Sequence, residues 1–244
     1  MKIKIIVPIT TKKFEESTRE EVVKFASPGT EISVEAIQYG TASIESSYDE
    51  ILNAPGIIKM AEKAQTEGFD GIFIDCMGDP ALDAVREKLE IPVVGPARVS
   101  MIYAADLAHR FSVVTVLESV VVLVENIASI LGLKDNKLAS VRHVNIPVLA
   151  LTDTKKLTKT LIEESLRAVK EDGAHAIILG CTGMLGIADD LSQALKANGY
   201  DVPVIYPVAV AIKYLETLVS LKLKQSKKTY STPSEKERNI WEVI

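Results

Sequence analysis

The chain carries the same sequence unit twice, and this duplication limits the folds that it can adopt. Residues 68-GFDGIFIDCMGD-79 and 173-GAHAIILGCTGM-184 each run from a glycine through an apolar strand to a cysteine, with another glycine two positions later. A Pro-Val segment and an apolar helix follow each copy, over residues 91–107 and 202–223. A period of about a hundred residues is too long for a solenoid, so the repeat indicates two related halves.

Strand-like and helical segments alternate along both halves. The strands are rich in Val and Ile, and several lack strict alternation, which is typical of parallel strands covered on both faces. Strands are predicted at residues 2–8, 32–38, 70–75, 91–96, 111–117, 139–146, 175–180 and 202–207. Helices are predicted at residues 13–26, 49–67, 80–89, 98–109, 118–131, 155–172, 185–198 and 208–223. We therefore expect an α/β fold with two pseudo-symmetric domains, each a four-stranded parallel sheet flanked by helices, and an active site between them.

Composition excludes several classes of partner. The net charge is −5, the three histidines are scattered, and no basic stripe indicates a nucleic-acid surface. The longest apolar runs are interrupted by charged residues and are too short to span a bilayer. Two cysteines in 244 residues favour a reducing compartment over a disulfide scaffold. We expect a cytoplasmic protein that binds a small molecule, without a nucleic-acid or membrane partner.

Both cysteines lie where ligands bind in α/β proteins, at the carboxyl end of a strand. A glycine turn after each cysteine leads toward a helix, with Asp79 as the predicted N-cap of the first and Thr182 near the start of the second. Helix N-termini attract a carboxylate or an imide oxygen and lower the pKa of a nearby thiol. The sequence therefore predicts two reactive thiols, each with an oxyanion-binding turn.

A pair of thiols on opposite sides of one ligand suits a particular reaction. One thiolate removes a proton from a stereocentre, and the other thiol delivers a proton to the opposite face. N–H donors placed in advance stabilise the carbanion or enolate between them. The pseudo-symmetry of the chain matches the near-symmetry of such a reaction.

A structural, metal-binding or purely nucleophilic role fits Cys76 and Cys181 less well. A single cysteine at a strand end is usually a small core residue, but core packing gives no reason for two in duplicate settings. A zinc site requires more ligands, and the three histidines of the chain do not lie at ligand spacing to either cysteine. A disulfide conflicts with a reducing compartment, and a single nucleophile leaves the second cysteine without a role. The sequence has neither a P-loop nor a G-x-G-x-x-G fingerprint, and no metal or organic cofactor is expected.

Specific motifs surround the two cysteines, 76-CMGDPALDAVRE-87 and 179-LGCTGM-184. Further matching segments are 40–57, 91–95, 110–115, 146–149, 203–219 and 226–227. With these, the whole chain resembles the aspartate/glutamate/hydantoin racemase superfamily, and most closely its hydantoin and allantoin racemase branch. The resemblance implies a cofactor-independent racemase with Cys76 and Cys181 as its two catalytic bases. It also implies domains of 1–97 plus 207–244 and of 98–206, and a homo-oligomer of two or more subunits.

The chain departs from this branch at three points near the predicted site. Val7-Pro8-Ile9 stands where the branch usually has Asn-Pro-Asn, Met77 replaces a Phe, and Thr182 replaces an Ala. Gly-Cys-Thr is the form seen in the amino-acid racemases, so the Thr182 hydroxyl is expected to serve a substrate carboxylate or to cap the helix. The predicted substrate-binding residues are Pro8, Ile9, Ser43, Met77, Gly78, Thr182 and Gly183. Ser43 can also belong to the cap of the following helix.

The leading functional hypothesis is a racemase of 5-substituted hydantoins, allantoin or related small amino-acid derivatives. The departures leave three alternatives open. These are an aspartate/glutamate-type amino-acid racemase, an isomerase or decarboxylase of the same superfamily that uses the cysteines, and a ligand-binding relative without catalytic activity.

Overall fold

The structure is a computed structural model that describes residues 1–238, where eight strands alternate with eight helices. The strands are β1 (Lys2–Val7), β2 (Glu31–Ala36), β3 (Gly71–Ile74), β4 (Val93–Val94), β5 (Phe111–Thr115), β6 (Leu138–His143), β7 (Ile177–Leu179) and β8 (Val204–Ile205). The helices are α1 (Lys13–Phe25), α2 (Ser47–Thr66), α3 (Leu82–Lys88), α4 (Pro96–Leu107), α5 (Glu118–Ile130), α6 (Thr154–Lys170), α7 (Ala188–Ala197) and α8 (Pro207–Ser220). A short 3-10 turn, Val148–Ala150, precedes α6.

The strands form two four-stranded sheets with the same internal order, β2-β1-β3-β4 and β6-β5-β7-β8. All neighbouring strands are parallel, and β1 and β5 occupy equivalent places in the two sheets. Ile3, Ile5 and Ile6 of β1 are fully buried because helices cover both faces of the sheet. Each such side chain contributes about 1.5–3 kcal/mol through burial. The predicted α/β fold with two pseudo-symmetric parallel sheets is confirmed.

Two helices have side-chain caps at their N-termini. Helix α2 begins after Ser46, whose hydroxyl accepts a hydrogen bond from the Asp49 N–H at 3.2 Å. Helix α6 begins after Asp153, whose carboxylate accepts from the Lys156 N–H in the same way. These caps fix where each helix starts, since the first turn has no other partners for its N–H groups.

The turn after β3 differs from its predicted form. Asp79 does not cap the helix that follows it, because Ala81, in the left-handed region at φ 57°, lies between them and α3 starts only at Leu82. The Asp79 carboxylate instead accepts hydrogen bonds from the N–H groups of Ala97 and Arg98, at 2.9 and 3.0 Å. It therefore caps α4, the helix that leads from the first sheet into the second. The predicted cap of α3 by Asp79 is wrong.

The turn after β7 is also longer than predicted. Thr182 does not open a helix, since α7 begins at Ala188, six residues further on. The predicted helix start beside the second cysteine is therefore wrong.

Helix α8 and the described residues after it return to the first sheet. Leu215 of α8 packs directly on Gly71 of β3, where a Cβ would meet the leucine at 2.8 Å. Beyond α8, the side-chain amide of Gln225 pairs with both backbone groups of Val93 in β4. Lys227 donates to two carbonyls of the last turn of α3. The domain boundaries 1–97 plus 207–244 and 98–206 stay a prediction, and residues 239–244 lie outside the described residues.

None of the helices within residues 1–238 has both the length and the apolar character needed to cross a membrane.

We expect Asp79→Ala to lower the free energy of unfolding by about 1–2 kcal/mol, because α4 loses its N-terminal cap. Urea denaturation followed by far-UV circular dichroism measures this change. The matched control is Asp83→Ala, which removes an exposed carboxylate that pairs with the same Arg98 and is expected to cost less than about 0.5 kcal/mol. An equal loss in the two variants would contradict the capping role.

Candidate active site

The carboxyl ends of the two sheets meet at a cavity that contains both cysteines. Cys76 lies two residues beyond the end of β3, and Cys181 lies two residues beyond the end of β7. The two cysteines thus occupy equivalent positions in the two halves and line the same space. Both are partly buried free thiols.

A hydrogen bond connects the two cysteine turns. The Thr182 hydroxyl donates to the backbone carbonyl of Asp75 at 3.2 Å, so the residue after one cysteine bonds the residue before the other. Thr182 is buried. Its hydroxyl neither caps a helix nor points free into the cavity, and its main effect is to hold the two turns together.

Backbone N–H groups support each thiol. The Gly78 N–H donates to Cys76 Sγ at 3.5 Å, and the Gly183 N–H is near enough to Cys181 to lower the pKa of its thiol. Both glycines belong to the turn that directly follows the cysteine. Such donors stabilise a thiolate, and the duplicated Cys-x-Gly spacing places one donor on each side.

Burial nevertheless outweighs these donors. It raises the pKa of Cys181 to about 12 and the pKa of Cys76 well above its usual range, while the N–H donors oppose the shift only in part. The negative charge of Asp75 adds to the increase at both thiols. The expectation that helix N-termini lower the thiol pKa is wrong, because neither cysteine turn leads directly into a helix.

Two carboxylates line the cavity beside the cysteines. Asp75 is buried, its Oδ2 accepts from the Thr18 hydroxyl at 3.2 Å, and its Oδ1 has no hydrogen-bond partner. Burial raises the pKa of Asp75 to about 6. Glu50, in the first turn of α2, likewise has an unpartnered buried oxygen, and burial together with the charges of Asp79 and Asp49 raises its pKa to about 7.

The rest of the wall is apolar. It consists of Val7, Pro8, Ile9, Phe14, Ile44, Met77, Val116, Val120, Leu123 and Val148. Among the described residues, no lysine, arginine or histidine lines the cavity. A ligand therefore meets thiols, backbone N–H groups and carboxyl groups set in an apolar surface, with no cation to neutralise an acidic group.

Most of the predicted site residues lie together. The cavity is lined by Cys76 and Cys181 and by the predicted substrate-binding residues Pro8, Ile9, Met77, Gly78, Thr182 and Gly183. Ser43 is not among the lining residues, and its neighbour Ile44 occupies that part of the wall. Within residues 1–238, no cluster of three His, Cys, Asp or Glu side chains has an arrangement that could hold a metal ion.

Sequence reasoning missed Asp75, Glu50 and Thr18. Asp75 carries a usable signal, because it is an acidic residue that ends an apolar strand next to a predicted catalytic cysteine. Glu50 and Thr18 lie on helices remote in sequence from both cysteines. Their contribution depends on how α1 and α2 pack over the sheet, which no local pattern reveals.

Comparison with known proteins identifies the class to which this fold and site belong. Residues 3–215 match the family described as Asp/Glu/Hydantoin racemase. The chain belongs to this family, and it is an isomerase of the racemase type.

Individual relatives agree with this assignment. The chain is 41% identical to a hydantoin racemase of Pseudomonas sp. (strain NS671), over 97% of this chain and 94% of that protein. It is similar in structure to an allantoin racemase from Klebsiella pneumoniae, with a TM-score of 0.90, 35% identity, and coverage of 100% of this chain and 98% of the other. An allantoin racemase from Pseudomonas fluorescens gives the same TM-score of 0.90 at 32% identity, with 98% and 99% coverage. The similarity therefore extends over nearly the full length and points to the hydantoin/allantoin branch.

We expect both thiols to react slowly with iodoacetamide at neutral pH, because burial disfavours their thiolates. The alkylation rate of Cys76 and Cys181 should keep rising above about pH 9, whereas thiols of the urea-unfolded chain titrate near pH 8.5. Peptide-resolved mass spectrometry over a pH series measures both sites separately, and the unfolded chain is the control. A rate that reaches its plateau below about pH 8 at either cysteine would contradict the raised pKa values.

Proposed function

We propose that the protein is a cofactor-independent racemase of 5-substituted hydantoins and related small cyclic ureides, with Cys76 and Cys181 as acid and base. The observation that carries this proposal is the convergence of the two cysteines, from equivalent turns of two related sheets, on one largely apolar cavity. Membership of the racemase family supports it.

In the proposed reaction one cysteine is a thiolate and the other a thiol. The thiolate removes the proton from the stereocentre, the ring becomes planar, and the opposite thiol donates its own proton to the other face. The two cysteines exchange protonation states, so the same pair serves the reverse reaction. The total charge of site and ligand stays constant throughout.

The raised thiol pKa values suit a weakly acidic carbon substrate. A thiolate that is hard to form is a strong base, so it gains more driving force for taking a proton from carbon. The N–H donors at Gly78 and Gly183 reduce the cost of forming that thiolate. The mostly apolar cavity also keeps bulk water from the planar intermediate.

The charge of the cavity favours a neutral ring over a free amino acid. The α-carboxylate of aspartate or glutamate needs a cationic partner or several free N–H donors when it is buried. The described lining offers two carboxyl groups and no cation. A hydantoin is neutral, presents N–H donors, and carries a substituent that the apolar wall can cover. We therefore place hydantoins with apolar substituents first, allantoin second, and amino acids last.

We also propose a homo-oligomer. Tyr48, Ile51 and Leu52 form an exposed apolar stripe on α2, with 70%, 69% and 40% of their surface accessible. Such a stripe on a helix that also contributes Glu50 to the cavity wall supports contact with a second subunit.

We expect Cys76→Ser and Cys181→Ser each to lower racemisation at least about 100-fold, because each removes one of the two proton-transfer groups. Solvent deuterium exchange, started from each pure enantiomer and followed by NMR, separates the two roles. Each variant should lose exchange mainly from one enantiomer, and the enantiomer affected should differ between the variants. Protein dialysed against a chelator is used throughout, so that the same assay tests cofactor independence. Racemisation at the wild-type rate by either variant would exclude the two-base mechanism.

We expect kcat/KM for 5-benzylhydantoin to exceed that for aspartate or glutamate at least about 100-fold, since an unpaired buried charge costs several kcal/mol. Allantoin, with its polar substituent, should fall between them. Polarimetry under one set of conditions ranks all four compounds. Comparable turnover of aspartate would favour the amino-acid racemase alternative.

A further inference from the structure

We propose that Glu50 is a specificity-determining residue that admits neutral cyclic ureides to the cavity and rejects ligands that carry a carboxylate. The ligands rejected include N-carbamoyl amino acids, the ring-opened counterparts of hydantoins with the same substituent. This inference deepens the proposed function and rests on it.

Glu50 lies against the turn of the first cysteine. A Cβ placed on Gly78 would clash with Glu50 Oε1 and would lie 3.8 Å from Cys76 Sγ. The carboxyl group of Glu50 and the thiol therefore flank the same point on the cavity wall. The absence of a side chain at Gly78 is what allows the carboxyl group to come this close.

Glu50 has unmet hydrogen-bonding capacity at this position. Its Oε1 is buried and has no partner within the protein, which is an unfavourable state for a carboxyl oxygen. A ring N–H of a hydantoin or of allantoin can supply the missing donor. A carboxylate ligand supplies no donor and adds a like charge in a poorly solvated space.

The charges around Glu50 reinforce the rejection of anions. Asp49 on the same helix and Asp79 in the cysteine turn both help to raise the pKa of Glu50, and Asp75, next to Cys76, also lines the cavity. Arg98 lies 3.8 Å from the Asp79 carboxylate, but among the described residues no cation lines the cavity beside Glu50 and Asp75. A bound carboxylate would therefore face acidic side chains from α2 and from the turn after β3.

The protonation of Glu50 makes the rejection dependent on pH. The pKa of Glu50 is raised to about 7, so the side chain is neutral below that pH and negative above it. An N-carbamoyl amino acid stays ionised over this range, because its carboxyl group titrates near pH 3.5. Its affinity is therefore expected to rise as the pH falls through about 7. In a Glu50→Gln variant only a smaller rise near pH 6 should remain, owing to Asp75 and Asp79, because burial raises the pKa of each to about 6.

Isothermal titration calorimetry with N-carbamoylphenylalanine tests this proposal without relying on turnover. At about pH 8, Glu50→Gln should bind this ligand at least about tenfold more tightly than the wild type, because one repulsive charge is gone. The carboxamide of the same ligand, which is neutral, should show a much smaller difference between the two proteins. Glu62→Gln changes a half-buried residue on the same helix that, among the described residues, forms an ion pair with Lys88, and it should behave as the wild type.

Two results would overturn the role of Glu50. One is equal affinity of the wild type and of Glu50→Gln for the carboxylate ligand, and the other is an equal gain with the neutral carboxamide. Racemisation of 5-benzylhydantoin by the wild type is assayed in parallel. Failure of that assay rejects the proposed function, whereas the calorimetric comparison decides the charge selectivity by itself.

Discussion

The contact between the two cysteine turns is the constraint on which the site depends. Each turn belongs to a different sheet, and the bond from the Thr182 hydroxyl to the Asp75 carbonyl joins them at 3.2 Å. Because Asp75 and Thr182 are the immediate chain neighbours of Cys76 and Cys181, this single bond limits the separation of the two thiols. Two-sided proton transfer requires that limit, since both groups must reach one carbon. The Asp79 cap on α4 adds a second tie, between the first cysteine turn and the helix that enters the second half.

The ionisable groups of the cavity lie in a largely apolar surface. Because this surface solvates charge poorly, their charged forms are disfavoured. Both thiols, Asp75 and Glu50 have raised pKa values, and burial is the first cause in every case. The site therefore tolerates few negative charges at once. With a neutral ligand bound, the cavity has to accommodate only the charge of one thiolate. An anionic ligand adds a second negative charge, which disfavours the thiolate. In the mechanism that we propose, the low polarity that makes the thiolate a strong base also selects the charge of the substrate.

The sequence allowed the architecture to be predicted because its signals are local and repeated. Val-rich strands, the Ser46 cap and the spacing from strand to cysteine to glycine are each visible within a few residues. The two cysteines could be assigned to one site because the carboxyl ends of strands in related halves are expected to converge.

The turns after the cysteines could not be predicted correctly. Asp79-Pro80 fits a helix start by local preference, but the left-handed Ala81 delays α3, and the free N–H groups of α4 attract the Asp79 side chain instead. The thiol pKa values were mispredicted because burial, their largest cause, depends on tertiary packing, and because the helix starts expected to lower them do not exist there. Glu50 and Thr18 enter the site through helix packing, which has no counterpart in sequence spacing.

The close approach of Glu50 to Gly78 has a consequence for how relatives of this chain can diverge. Positions 50 and 78 share one small volume, although they are separated by a helix and a strand along the chain. A relative that acquires any side chain at position 78 must shorten or redirect the residue at position 50. A relative that keeps a long acidic side chain at position 50 in the same orientation has room only for glycine at position 78. The two positions are thus expected to change together, so that the pair of residues found there in a new sequence would report the substrate charge that its cavity accepts.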